Sequence, residues 1–66
     1  MKRFRGFELD LAPNMNGDLM VWLTVSGNSE AVFPGTKAGR QALAKRFRDA
    51  AKWIESQDWQ AQRRRG

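Results

Sequence analysis

Phe7-Glu8-Leu9-Asp10-Leu11 and, after a turn-rich run, Leu19-Met20-Val21-Trp22-Leu23-Thr24-Val25 decide the fold of this 66-residue chain. In both runs an apolar residue returns at every second position. That period puts Phe7, Leu9 and Leu11 on one face of a strand, and Leu19, Val21, Leu23 and Val25 on one face of another. Between them, Pro13-Asn14-Met15-Asn16-Gly17-Asp18 is dense in turn formers, so the two strands are expected to form an antiparallel hairpin.

Burial decides the register. A two-residue turn at Asn16-Gly17 would pair Leu11 with Trp22 and Leu9 with Thr24, setting one apolar face against a mixed one. A loop with an odd number of residues brings the two apolar faces together, because a one-residue slip flips every side chain. The expected pairs are then Leu11 with Leu19, Leu9 with Val21 and Phe7 with Leu23, with Gly17 at a positive φ. A third short strand is expected at Glu30 to Phe33, after Ser26-Gly27-Asn28-Ser29 and ended by Pro34-Gly35. A two-residue Gly-Asn turn would leave Phe33 beside Trp22 on the outer side; a longer loop would reverse its face.

From Thr36 onward the period changes. Thr36 is a natural N-cap. Leu43, Phe47, Ala50 and Ile54 follow at spacings of four, three and four, the apolar stripe of a helix. Gly39 on that stripe suits a close approach to the sheet. Lys37, Gln41, Lys45, Arg48 and Lys52 occupy the opposite face, and Arg63-Arg64-Arg65 continue the charge beyond the helix. The expected fold is α+β: an antiparallel sheet of two or three strands with one long C-terminal helix packed on one face. Strands are placed at about residues 3–12, 18–26 and 30–34, a helix at about 37–58 and a basic tail at 60–66, in a single small domain over 1–66. Leu9, Leu11, Val21, Leu23, Leu43, Phe47 and Ile54 are the expected core.

So short a chain buries only about 60% of the surface it exposes when unfolded. Without cysteine or histidine it has no disulfide, no thiolate metal site and no imidazole base, and its seven acidic residues are scattered. Association with itself or with a partner is the remaining source of support. Arg5, Glu8 and Asp10 interrupt the run behind Met1-Lys2-Arg3, and no apolar stretch approaches a membrane span. The expected location is cytoplasmic, without membrane contact. The net charge of +5 favours nucleic acid or an acidic protein surface as partner.

No catalytic constellation is legible. Ser and Thr lack a histidine, and Glu8 and Asp10, about 7 Å apart on one strand face, read as a solvated acidic edge. No phosphate-cradling glycine loop occurs, and no cofactor or small-molecule substrate is expected. Two features remain. Lys45, Arg48 and Lys52 form one row along the helix and, with Arg63, Arg64 and Arg65, are candidate phosphate contacts. Phe4, Met20, Trp22 and Phe33 are candidates for an exposed aromatic patch on the outer sheet face, suited to base stacking, a protein interface or a homo-oligomer.

Arg5-Gly6 early in the first strand, Trp22-Leu23 late in the second, and Ala42 with Ala50-Ala51 in the helix carry a resemblance. The order of short strands followed by a packed helix resembles the small DNA-binding modules at the amino ends of tyrosine-type phage integrases, and the plant AP2 domain. The resemblance implies a sheet entering the major groove, with Lys2, Arg3, Arg5 and Trp22 in contact. Strict alternation, by contrast, sets Arg3 and Arg5 on the core side with Phe7 unless a bulge at Gly6 turns them out. In size and charge the chain also looks like phage accessory proteins, including inhibitors of bacterial defence systems such as CRISPR. The sequence thus points to a non-enzymatic basic binding module for nucleic acid or a nucleoprotein complex, with a phage-type protein inhibitor or adaptor as the alternative.

Overall fold

The computed structural model describes residues 1–57. Four strands, β1 (Lys2–Phe4), β2 (Phe7–Pro13), β3 (Leu19–Val25) and β4 (Asn28–Pro34), precede one helix, α1 (Lys37–Glu55). The strands form one antiparallel sheet in the order β1-β2-β3-β4, each hydrogen-bonded to its neighbour in sequence. The α+β class and the single C-terminal helix agree with the sequence reading. The strand count differs, because the first apolar run folds back on itself at Arg5-Gly6. Gly6 has φ +102°, which lets two residues reverse the chain and pair Phe4 with Phe7.

The β2–β3 loop is odd, as burial requires, but the pairing register is shifted by two residues from the expected one. Leu11 pairs with Val21, Leu9 with Leu23 and Pro13 with Leu19. The five-residue loop is held by its own polar groups. The Asn14 side-chain oxygen accepts from the Asn16 and Asp18 amides at 2.9 and 3.0 Å, and Gly17 takes φ +84°. Because the shift is two residues, no side chain changes face.

The β3–β4 turn is Ser26-Gly27, with φ +53° and +82°. Val25 pairs with Asn28 and Trp22 with Ala31, after which a bulge sets Val21 against Phe33. Phe33 therefore lies on the helix side with Val21. Its assignment to the outer aromatic patch is corrected by the extra residue Val32, which shifts the alternation.

Phe4 is corrected for a similar reason: paired with Phe7, it shares the helix-facing side. Its ring stacks on Phe7 at 4.9 Å between centroids, and Phe7 stacks on Phe47 of α1 at 6.1 Å. The three rings tie β1, β2 and the helix together, each pair adding about 0.5–1.5 kcal/mol beyond its area. Arg3 and Arg5 are likewise not on the core side. Arg3 pairs with Glu8 and faces outward; Arg5 occupies the exposed turn.

Thr36 caps the helix, its hydroxyl accepting from the Gly39 amide at 3.1 Å. Gly39 is buried against Pro34, the last residue of β4. From there α1 crosses the sheet diagonally to reach Phe7. Nineteen residues make a helix about 28 Å long, whereas four strands span roughly 14 Å across. The last turns consequently stand clear of the sheet. Val21, at 6% exposure, is the one buried hydrophobic side chain among the described residues, while Ile54 is 63% exposed. Ile54 therefore leaves the expected core.

Candidate functional site

Three surfaces carry the functional candidates. The first is the helix face away from the sheet. Lys37, Lys45, Arg48 and Lys52 fall within one sector of α1 because their spacings of eight, three and four keep returning to it. All four are exposed. Lys45 pairs with Asp49 at 3.0 Å, a solvent-screened i,i+4 contact worth about 0.3–0.5 kcal/mol. Lys37, Arg48 and Lys52 make no ion pair among the described residues. The row extends for about 22 Å along the helix. Arg63, Arg64 and Arg65 lie outside the described residues, as does Trp59.

The second surface is the sheet face not covered by α1. Met20 and Trp22 lie on it, as the sequence indicated, without Phe4 and Phe33. Trp22 pairs with Asp10 and Met20 with Ala12. The Trp22 indole lies across the strands and donates from Nε1 to the Ala12 carbonyl at 3.0 Å. That hydrogen bond and its half-buried position give Trp22 a structural task on this face. Around it stand Glu8 and Asp10, with Arg3 bonded to Glu8 at 3.3 Å and the amino terminus of Met1 to Asp10 at 3.3 Å. Two carboxylates hold their cationic partners within the surface, so this face offers a phosphate little free positive charge. Lys2 is not on it: pairing with Leu9 sets Lys2 on the helix side.

The third surface was not legible as a site in the sequence. Beside the diagonal helix lies an open groove of about 510 Å³. Leu9, Leu11 and Val21 floor it, and Leu43, Ala44 and Phe47 wall it on the helix side. Lys2, Arg40 and the ion-paired Met1 amino terminus and Asp10 complete its lining. Leu11 remains 48% exposed and Phe47 39% exposed within it. The signal available beforehand was the length of the apolar stripe, which outruns the sheet that could cover it.

Among the described residues there is no group of three or more His, Cys, Asp or Glu side chains that could hold a metal ion. No helix among them is long and apolar enough to cross a membrane. No protein family model, no curated protein and no solved structure matches this chain.

Proposed function

We propose that this chain is a non-enzymatic binding module that contacts nucleic acid, alone or within a nucleoprotein complex, through the exposed face of α1. The observation that carries the reading is the row of Lys37, Lys45, Arg48 and Lys52 along one side of the helix, with three of the four free of carboxylate partners among the described residues. Flexible ammonium and guanidinium groups spaced along a rod suit backbone phosphates and release counterions on contact. They carry no base-reading geometry by themselves, so the mode is positioning rather than sequence readout. The sheet-in-groove mode implied by the integrase and AP2 resemblance would turn Glu8 and Asp10 toward the phosphates, which is why the helix face is preferred. A protein inhibitor acting through the outer sheet face keeps only Met20 and Trp22 of its four aromatic and apolar anchors.

The test is a salt titration. Retention of a duplex and of a single strand is measured from low to physiological salt, for the wild type and for Lys45→Glu/Arg48→Glu/Lys52→Glu. Each lost phosphate contact should flatten the log–log slope by roughly 0.9 on duplex DNA and 0.7 on single strands. Binding should weaken alike for all sequences. A wild type that holds neither nucleic acid at low salt defeats this reading.

A further inference from the structure

We infer that the groove beside α1 is filled by a second copy of this chain, the two helices lying antiparallel about a two-fold axis and each Ile54 entering the other copy's groove. The inference does not rest on nucleic-acid binding: its apolar anchors Phe47 and Ile54 lie away from the basic row, while Glu55, five turns from Lys37, borders the contact on the side of that row.

Within one chain the two halves of this contact are already exposed. The groove offers about 510 Å³ of apolar space above Leu9 and Leu11. A cavity of about 150 Å³ accepts a benzene ring, so there is room for several side chains. The overhang of α1 supplies the filling: Ile54 is 63% and Trp53 66% exposed. With Leu11 and Phe47, these residues leave on the order of 400 Å² of apolar surface uncovered, within the range of a monomer's largest patch, which is often functional, and roughly half of one side of a standard interface.

Size and charge both match under a two-fold axis, where contact of residue i with j implies contact of j with i. Setting Ile54 beside Ala44 of the second copy places Phe47 beside its Ala51. A large side chain then meets a small one at both levels, which close helix packing requires. The same register brings Glu55 beside Leu43, within one turn of Arg40. Arg40 and Lys2 of the groove lining have no carboxylate partner among the described residues, and neither does Glu55 have a cationic one. The arrangement pairs these charges across the axis.

The experiment is sedimentation equilibrium of nuclease-treated protein at high salt, from about 1 to 300 μM, a range that resolves micromolar dissociation constants. The expected mass rises toward twice the 7.6 kDa of one chain. Ile54→Asp should raise the dissociation constant at least tenfold while leaving far-ultraviolet circular dichroism unchanged, since Ile54 stands outside the monomer core. In a second series at about 0.1 M salt, where charges act over about 10 Å, Arg40→Glu and Glu55→Arg should each weaken the dimer, and the double variant should recover part of the loss. A wild type monomeric throughout overturns the inference, as does a dimer indifferent to Ile54→Asp. Charge reversals that show no recovery in combination overturn the antiparallel register.

Discussion

Gly39 is held directly against the backbone of Pro34: a Cβ at Gly39 would drive into the Pro34 carbonyl oxygen. The first turn of the helix and the last residue of β4 thus approach as closely as two backbones can. Gly35 beside them donates its amide to the Leu19 carbonyl at 2.8 Å, so the corner between sheet and helix is locked from both sides. This corner sets the angle at which α1 leaves the sheet, and with it the groove and the overhang.

Gly39→Ala tests that corner. Helix propensity alone favours alanine by about 1 kcal/mol. The obstruction is backbone rather than a side chain, so the helix must move, at a cost of about 1–3 kcal/mol typical of overpacking. The expected outcome is a lower urea midpoint with an unchanged slope. A more stable variant would show that the helix start is not seated on Pro34.

Phe47→Ala and Ile54→Ala should behave differently although both lie on one stripe. Phe47 stacks on Phe7 and is partly covered, so its loss should cost about 2 kcal/mol, less than the 3–5 expected of a fully buried ring. Ile54 is 63% exposed, and its loss should cost under about 0.5 kcal/mol in dilute monomer. Thermal melts at low micromolar concentration compare the two; equal destabilisation would mean that the helix lies fully on the sheet.

Trp22 separates the sheet face from the helix face. Trp22→Phe removes the donor to the Ala12 carbonyl and should cost about 1 kcal/mol. Its affinity for nucleic acid should match that of the wild type, because the basic row lies on α1. A loss of binding with stability retained would shift the interface to the sheet.

Ser26 adopts φ +53°, a conformation in which serine is uncommon. Asparagine tolerates it far better and is favoured where both central residues of a two-residue turn have positive φ. Ser26→Asn should therefore stabilise the domain by roughly 0.5 kcal/mol, read as an upward shift in melting temperature. A fall would mean that the Ser26 hydroxyl contributes to the turn.

Periodicity by itself determined the element types, the C-terminal helix with its Thr36 cap, and the face that Leu9, Leu11, Val21 and Leu23 share, because a two-residue repeat and a 3.6-residue repeat exclude each other. It also determined the basic row on α1, which needs only helical spacing. What it could not determine was everything governed by a single residue of offset. The reversal at Arg5-Gly6 split the first strand and turned Arg3 outward, and the bulge at Val32 carried Phe33 to the helix side; in both cases one positive φ or one extra residue resets the alternation for all that follows. The angle of the helix was likewise a tertiary matter. It depends on how closely Gly39 can approach Pro34, a contact between residues whose sequence shows only a missing side chain and a turn, and that angle leaves Leu11 beside an open groove and Ile54 beyond the sheet.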